Sequence, residues 1–392
     1  MQMPTVLMIA PGNIIHSLRP LNWLLEKGCR VTLLDSVNPF PEGKGDGFTF
    51  VHFPHPRGGR AFPKYLGETL GTPLSLLTTT IPLRMLWHRL HPDIVHVHWV
   101  DDRAYYCAKA GLRPLVLTVW GTDINKHFLP SADPASRRRI GETLAAADLT
   151  LIDSVDLHQK CVDLAGRDIR TELITLGVNT DRFRPGYQQA RFEWRRRLNI
   201  PADAPVFLSI RAWSPLYRHK SILEAFARAL PRLQSNAVLL FKILRHSTTD
   251  RAPYEMEMHD LARTLGVADM VRWMDELPLD RVPEVYSLAD VIVNYPSMDA
   301  FPLTFLEAGA CQRPVISCRL PAYLGTFAEK YFHFVSPDDL SELSDAIVAF
   351  VNTPPLLSDD RLNELRQTVC RDHDETIVAQ RLVEIYRTLS TP

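Results

Sequence analysis

The sequence predicts an α/β protein of two domains, each with a parallel sheet covered by helices on both faces. Short apolar segments rich in β-branched residues alternate with helical patterns along the chain, which is typical of strand–helix–strand units. Residues 177–186 interrupt this alternation, which then restarts. The length of 392 residues also suits two domains of ordinary size.

Composition indicates a globular protein without a strong electrostatic preference. The formal net charge is −1, which gives no reason to expect nucleic acid as a partner. The six cysteines include no C-x-x-C pair, and most lie in apolar segments, so we expect reduced thiols and a cytoplasmic location. We expect no signal peptide, because the first residues carry no basic region, and no apolar run is long enough to span a membrane.

The first half contains short apolar strands separated by helical patterns. Because these strands are apolar on both sides, we expect them to be buried on both faces of a parallel sheet. The first helix is expected to end at Gly28, a residue that commonly closes helices. The predicted strands are residues 5–10, 30–34, 94–97, 115–119, 149–152 and 172–175; the predicted helices are 14–27, 104–110, 136–147 and 154–164, with 64–89 also compatible with a helix.

The second half repeats the pattern after a segment rich in glycine and proline, residues 177–186. Ligands of such sheets bind beyond the carboxyl ends of the strands, so the loops that follow strands are where site residues are expected. The predicted strands are residues 206–210, 238–244, 271–274, 290–296 and 315–318; the predicted helices are 221–233, 254–265, 278–289, 303–311, 340–352 and 375–389.

The stretch 299–308, Asp-Ala-Phe-Pro-Leu-Thr-Phe-Leu-Glu-Ala, is the most informative part of the chain. It connects an apolar strand to a helix with Leu303 and Thr304 in its first turn. The N–H groups of a helix N-terminus and the helix dipole together favour anions such as phosphate. Asp299 and Glu307 would repel phosphate, so they are better suited to sugar hydroxyls. The stretch therefore predicts a nucleotide-sugar site.

Two basic residues are expected at the same edge of the second sheet. Arg211 follows the strand at 206–210, and Lys220 opens the next helix. Two converging cations can neutralise a diphosphate without a metal ion, Arg211 as a fork and Lys220 as a point charge. The alternative is a solvated basic loop.

Five residues in the first domain also follow strands. Gly12 and Asn13 follow the first strand, where a glycine lets the backbone approach a phosphate or sugar, although a simple turn glycine is nearly as good an explanation. His98 ends a later strand; a metal site there is the weaker alternative, because no further ligand cluster is evident. Gly121 and Asp123 follow the next strand, and Asp123 is a candidate either for binding a hydroxyl or for capping a helix.

These motifs resemble, in order, those of the retaining glycosyltransferases of family 4, a GT-B family. The stretch 299–308 is similar to the E-x7-E motif of that family, with Asp299 at the first acidic position and Glu307 at the second. Arg211 and Lys220 resemble its G-R…K-G pair. Residues 93–98 match its D-x-V-H-x-H pattern, and 177–186 resemble its interdomain linker.

The chain departs from the family pattern at several positions. Ile210 and Ser221 replace the glycines beside the two cations. Trp120 stands where the family often has a catalytic-site histidine, so no histidine role is transferred to it. Residues 241–246 contain no glycine, although the family usually shows a G-x-G turn there.

The resemblance implies a GT-B fold, with two Rossmann-like domains whose parallel sheets face each other across a cleft. Residues 1–186 would form the acceptor-binding domain and 187–372 the donor-binding domain, with a final helix at 373–392 crossing back to the first domain. The implied activity is a retaining, metal-independent transfer of a sugar from a nucleoside-diphosphate sugar to an acceptor hydroxyl, in the biosynthesis of polysaccharide, lipopolysaccharide or another glycoconjugate.

The resemblance also implies roles for the candidate residues. No metal and no cofactor are expected, because the nucleoside-diphosphate sugar is a co-substrate. The catalytic set is Arg211, Lys220, Asp299 and His98; the donor-binding set is Gly12, Arg211, Lys220, Leu303, Thr304 and Glu307; the acceptor-binding set is Asn13, His98, Gly121 and Asp123.

The sequence leaves alternatives open both for the acceptor and for the activity. A glycan, a lipid-linked molecule and a small molecule are all open as acceptors. The departures from the family motifs motivate two other functions: a non-catalytic GT-B subunit that binds a partner glycosyltransferase or a glycan, and a nucleotide-sugar epimerase. The apolar segment 64–89 and the arginine runs add the minority hypothesis of weak contact with the inner face of a membrane.

Overall fold

A computed structural model describes residues 3–11, 14–35, 47–52, 73–242, 252–353 and 357–390. The chain forms two compact units. The first comprises Met1–Leu176 and Glu375–Pro392, and the second comprises Gly177–Asp374.

The strands of the described residues form one sheet in each unit. They are β1 (Thr5–Ile9), β2 (Arg30–Asp35), β3 (Phe48–His52), β4 (Ile94–His98), β5 (Leu115–Thr118), β6 (Leu149–Ile152), β7 (Thr171–Leu173), β8 (Val206–Ser209), β9 (Val238–Lys242), β10 (Val271–Met274), β11 (Val291–Asn294), β12 (Val315–Cys318) and β13 (His333–Val335).

The helices connect successive strands and cover the sheets. They are α1 (Ile15–Glu26), α2 (Pro73–Leu90), α3 (Asp102–Lys109), α4 (Thr122–Asn125), α5 (Pro134–Ala146), α6 (Val155–Ala165), α7 (Gln188–Arg197), α8 (His219–Ala229), α9 (Ala252–Thr264), α10 (Val282–Leu288), α11 (Leu303–Ala310), α12 (Phe327–Tyr331), α13 (Leu340–Asn352), α14 (Asp359–Asp372) and α15 (Glu375–Ser390).

The first unit is built on a parallel sheet of order β3-β2-β1-β4-β5-β6-β7. Its central strands are buried along their whole length, as the apolar runs in the sequence predict. Helix α15 belongs to this unit and packs against α1 and β4. Its side chains Leu382, Val383 and Tyr386 lie in the same core cluster as Val6 and Met8 of β1.

The second unit is built on a parallel sheet of order β10-β9-β8-β11-β12-β13. The strand order reverses between β8 and β11. These two strands are parallel neighbours, with Val291 of β11 opposite Phe207 of β8. Loops after the two strands at such a reversal diverge to opposite faces and leave a crevice, where α/β sheets bind ligands. The two parallel sheets confirm the predicted fold class of two Rossmann-like α/β domains.

The sequence did not predict every element. The edge strands β3 and β13, and the helices α4, α7, α12 and α14, lie outside the predicted segments. Strand β13 is only three residues long and begins with the exposed His333, so its apolar run is too short to be recognised. Helix α14 is amphipathic with only Leu365 and Val369 buried, so its polar surface dominates its sequence.

Several predicted boundaries are also shifted. The helix predicted at 278–289 begins as the 3₁₀ turn Leu279–Arg281 and continues as α10. The first part of the predicted helix 64–89 lies outside the described residues, which contain α2 from Pro73 onward. Among the described residues, none of the helices combines the length and the apolar character needed to cross a membrane.

Candidate functional site

The reversal of strand order in the second unit brings Arg211 and Asp299 together. Arg211 follows β8 and Asp299 follows β11, and the Arg211 Nη2 donates to the Asp299 Oδ1 at 2.9 Å. Both side chains are largely buried, with exposed fractions of 12% and 11%. A charged pair at this depth is retained only when hydrogen bonds compensate for the lost solvation, so its remaining contacts matter.

Two further groups orient the Asp299 carboxylate. The phenol of Tyr323 donates to Asp299 Oδ2 at 2.8 Å. The same phenol oxygen accepts from the amide of Asn294 at 3.1 Å, and that amide also donates to Ser317 at 3.1 Å. Burial, and then the Asp299 carboxylate, raises the pKa of Tyr323 well above its ordinary value, so the phenol keeps its proton. The Asp299 carboxylate is therefore fixed from both sides.

Arg211 is held by an aromatic ring as well as by the carboxylate. Its guanidinium carbon lies 4.3 Å from the centre of the Tyr217 ring, a cation–π contact. Burial alone would lower the pKa of Arg211, but Asp299 with Tyr217 and Tyr323 raises it above its ordinary value. The guanidinium thus stays charged, and it has five N–H donors, more than Asp299 alone can occupy.

The N-terminus of α11 lies directly after Asp299 in the chain. Its N-cap residue is Pro302, which makes no side-chain capping bond, and the first turn carries no acidic residue. Leu303 and Thr304 occupy that turn, with Thr304 buried. Backbone N–H groups of an uncapped first turn are available to an anion, so this part of the site keeps the property predicted from the sequence.

Glu307 lies one turn further along α11 and has its own orienting tyrosine. The phenol of Tyr286, in α10, donates to Glu307 Oε2 at 2.7 Å. Burial, and then Glu307, raises the pKa of Tyr286 well above its ordinary value, so this phenol is also a permanent donor. Each of the two predicted carboxylates is thus positioned by a buried tyrosine.

Lys220 does not join this cluster. It is the second residue of α8, and its ammonium forms an ion pair with Glu257 of α9. The same ammonium lies 6.0 Å from the Tyr254 ring, also on α9, and the lysine side chain is 39% exposed. The pairing of Arg211 and Lys220 expected from the sequence is therefore absent among these described contacts, because the helix directs Lys220 towards α9.

In the first unit, His98 is a buried histidine at the end of β4 with an exposed fraction of 1%. Among the described residues, neither of its ring nitrogens has a hydrogen-bond partner. Burial, followed by the charges of His96, His16 and Arg103, lowers the pKa of His98 well below its ordinary value, so the ring is neutral. The ring lines a small cavity together with Trp120.

His96, two residues earlier, is a structural histidine. Its Nδ1 lies 2.5 Å from the Tyr386 hydroxyl, and its Nε2 lies 2.6 Å from the Thr118 hydroxyl. Both nitrogens are thereby satisfied within the fold. His98 remains the imidazole of this strand that is suited to a ligand.

Gly121 and Asp123 shape the loop after β5. Gly121 has φ +96°, a conformation that side-chain-bearing residues rarely adopt, and it precedes α4. Asp123 lies inside α4 and does not cap it, so the capping alternative is wrong. Its two carboxylate oxygens accept the N–H groups of Val100 and Trp120, each at 3.0 Å. Burial raises the pKa of Asp123 to about 6, while these two N–H groups oppose the rise.

Trp120 lies among other aromatic rings of the first unit. Its ring is stacked on His98 with centroids 5.8 Å apart and meets His16 edge-on at 4.9 Å. Its indole nitrogen has no hydrogen-bond partner among the described residues. Gly12 and Asn13, the other two first-domain candidates, lie outside the described residues.

Sequence reasoning did not single out the two tyrosines or Lys242. Tyr323 and Tyr286 are separated from their carboxylates by 24 and 21 residues, and nothing in the local pattern links them. Lys242 is recognisable in the sequence as a charged residue at the end of the apolar strand β9, but the sequence analysis assigned it no role. Within the described ranges, no group of three or more histidine, cysteine, aspartate or glutamate residues is arranged to hold a metal ion.

Comparison with family models gives two matches that together span most of the chain. The model described as glycosyl transferase 4-like matches residues 5–154. The model described as glycosyl transferases group 1 matches residues 190–366.

Curated relatives of this chain are described as D-inositol 3-phosphate glycosyltransferases. The protein of Geodermatophilus obscurus is 34% identical over 238 residues, which cover 58% of this chain and 52% of the relative. The protein of Corynebacterium urealyticum is 26% identical over 344 residues, which cover 83% of this chain and 78% of the relative. The chain thus spans about half the length of the first of these relatives.

Solved structures resemble the chain over nearly its whole length. Sucrose-phosphate synthase from Thermosynechococcus elongatus superposes with a TM-score of 0.80 at 18% identity, covering 98% of this chain and 99% of that chain. Anabaena HepE in complex with UDP superposes with a TM-score of 0.75 at 15% identity, covering 99% and 100%. At these identities the likeness establishes the fold.

Proposed function

The chain belongs to the family 4 glycosyltransferases, and from this premise we propose that it transfers a sugar from a nucleoside-diphosphate sugar to an acceptor hydroxyl with retention of anomeric configuration. One observation carries the proposal. The Arg211–Asp299 pair lies at the crevice of the second sheet, next to the uncapped N-terminus of α11. This arrangement offers a cation and backbone N–H groups to a diphosphate and a carboxylate to a sugar.

Departure of the nucleoside diphosphate is the step that Arg211 assists. As the bond between the sugar and the diphosphate breaks, negative charge grows on the phosphate oxygen. We assign the stabilisation of that charge to the remaining N–H donors of Arg211 and to the N–H groups of Leu303 and Thr304 in the first turn of α11. These groups supply the electrostatic role that a metal ion fills in other enzymes, so we propose that no metal is required.

We assign the two carboxylates to the two sugar rings of the donor. Glu307, oriented by Tyr286, accepts hydrogen bonds from the ribose hydroxyls. Asp299, oriented by Arg211 and Tyr323, accepts from hydroxyls of the transferred sugar. Hydroxyl groups are the natural donors to a carboxylate beside a phosphate site.

The acceptor is proposed to bind the first unit through His98. A neutral imidazole has one donor and one acceptor nitrogen, which suits it to a hydroxyl group. Gly12, Asn13, Gly121 and Asp123 remain candidates for the same role. The acceptor hydroxyl would attack the face of the sugar from which the diphosphate departs and would pass its proton to the departing phosphate oxygen.

The first test is a thermal-shift measurement of the full chain with UDP-, GDP-, ADP- and dTDP-sugars in the presence of EDTA. HepE was solved with UDP-glucose, so UDP-glucose is the first donor to try. A donor at 100 times its Kd stabilises the fold by about 2.7 kcal/mol. No shift with any donor would contradict the proposed donor site and would favour a non-catalytic subunit.

The second test is transfer itself, followed by NMR of the anomeric proton in the product. Retention of configuration is expected, and inversion would contradict the mechanism. Arg211→Met is expected to lower kcat/KM by roughly two orders of magnitude or more, as loss of a transition-state charge contact does. Lys330→Met, which removes an exposed lysine paired with Glu364, is the matched control.

A further inference from the structure

Lys242 is a buried lysine that the proposed mechanism does not yet use. It is the last residue of β9, and its exposed fraction is 1%. Among the described residues, its ammonium nitrogen has no hydrogen-bond partner. Buried charges in proteins are normally paired, because an uncompensated ammonium is costly to take out of water. Without a partner among the described residues, the Lys242 side chain has N–H donors available to a ligand.

The pleat of β9 shows which way Lys242 points. The ring of the preceding residue, Phe241, stacks on Trp273 and contacts His219 of α8, so it lies on the face covered by α8. Successive side chains of a strand point to opposite faces. Lys242 therefore points to the other face of the sheet. Right-handed crossovers place α10 and α11 on that face, because they connect strands in the opposite direction across the sheet from α8.

That face carries Glu307 of α11 and its partner Tyr286 of α10. Burial lowers the pKa of Lys242, and the carboxylates of Glu276 and Glu307 act against this lowering, so both acids are electrostatic neighbours of the ammonium. Neither forms a hydrogen bond with it. The Glu307 carboxylate thus acts electrostatically on Lys242 without forming a hydrogen bond with it.

We propose that Lys242 binds the ribose diol of the nucleotide donor together with Glu307. A hydroxyl group both donates and accepts a hydrogen bond. The Glu307 carboxylate accepts a hydrogen bond from one ribose hydroxyl, and the ammonium of Lys242 donates a hydrogen bond to an oxygen of the diol. The inference rests on the proposed function, since it requires that Glu307 binds the ribose.

The position of Lys242 favours the ribose over the diphosphate. The diphosphate groups are assigned to Arg211 and the first turn of α11, which lie where β8 meets β11. Strand β9 lies on the other side of β8, and Lys242 pairs in register with Met274, the last residue of β10. Lys242 is therefore displaced from the phosphate site towards β10, the strand that precedes the loop carrying Glu276.

The test compares UDP, 2′-deoxy-UDP and 3′-deoxy-UDP by isothermal titration calorimetry on the full chain, with the GDP series measured in parallel. The variants are Lys242→Met, which keeps the length of the side chain without its charge, and Lys242→Gln, which keeps a shorter donor. Lys330→Met is the control. A hydrogen bond to a charged group corresponds to roughly 10- to 100-fold in Kd, so the wild type should prefer a ribonucleotide by about that factor.

The decisive quantity is the preference for the ribonucleotide over a deoxy analogue, compared between the wild type and each Lys242 variant. In Lys242→Met, the preference for the ribonucleotide over one deoxy analogue should fall by roughly tenfold, while Lys330→Met keeps it. Equal losses for all three ligands would overturn the proposal and make Lys242 structural. Failure of both Lys242 variants to fold would also overturn it. If the wild type binds neither series, the donor site itself fails; if it binds but shows no coupling, only the role of Lys242 fails.

Discussion

Substitution of Tyr323 by phenylalanine tests whether the Asp299 carboxylate must be held from both sides. The change removes one oxygen from a fully buried ring and leaves its packing in place. Two hydrogen bonds are lost: the one donated to Asp299 at 2.8 Å and the one accepted from Asn294 at 3.1 Å. Asn294 keeps Ser317 as a partner, so the main loss is at the carboxylate.

The magnitude follows from the type of bond. A hydrogen bond to a charged group contributes about 1.5–3 kcal/mol, and Asp299 keeps its bond to Arg211. We therefore expect the free energy of unfolding to fall by about 2 kcal/mol. Because Asp299 is assigned to the transferred sugar, its freer carboxylate should lower kcat/KM for the donor by roughly 10- to 100-fold. The affinity for the nucleoside diphosphate alone should stay close to that of the wild type.

Tyr286→Phe is the matched variant, because it removes a buried phenol that donates to the other carboxylate, Glu307, at 2.7 Å. Unlike Tyr323→Phe, it should weaken binding of the nucleoside diphosphate itself, by roughly tenfold. The assays are urea unfolding, calorimetric titration with the nucleoside diphosphate, and steady-state transfer. If Tyr323→Phe weakens nucleoside-diphosphate binding as much as Tyr286→Phe does, the division of roles between Asp299 and Glu307 is wrong.

Two other outcomes follow from buried or displaced side chains. Burial lowers the pKa of His219 from 6.5 to about 4. Between these two pH values the imidazole is neutral in the folded protein but protonated in the unfolded chain. The free energy of unfolding should therefore decrease by about 3 kcal/mol through this residue as the pH falls from 6.5 to 4. Urea titrations at several pH values should show this decrease in the wild type and its loss in His219→Phe. Lys220→Met should reduce donor affinity far less than Arg211→Met in calorimetric titrations, because Lys220 is paired with Glu257; equal losses would show that Lys220 leaves Glu257 to reach the donor.

The fold was predictable because the central strands of both sheets are buried on both faces. Such strands appear in the sequence as continuous apolar runs, and the runs at β4, β5, β8 and β11 mark the centres of the two sheets. The edge strand β13 and the surface helix α14 escaped prediction for the opposite reason. Each buries only a few side chains, so neither imposes a clear pattern on its sequence.

The site was only partly predictable. Position after a strand is a local property, and it identified Arg211 and Asp299 separately, although they are 88 positions apart in the sequence. The direction of a side chain on a helix is not fixed by such a rule. Lys220 was expected beside Arg211, but α8 begins at His219, and the helical phase of its second residue turns Lys220 towards α9.

The two buried tyrosines explain how this site can hold carboxylates beside an anion. A lysine or arginine in direct contact with Glu307 would orient it but would also neutralise it, whereas Lys242 forms no hydrogen bond with it. A phenol orients a carboxylate with one hydrogen bond and adds no charge, since burial and the carboxylate itself keep the phenol protonated. Tyr286 thus orients Glu307 without adding a cation, and a carboxylate is a strong acceptor for hydroxyls. Asp299, which lies nearer the α11 N-terminus in the chain, has Arg211 as well as Tyr323, and this cation offsets the repulsion that a diphosphate would otherwise meet there.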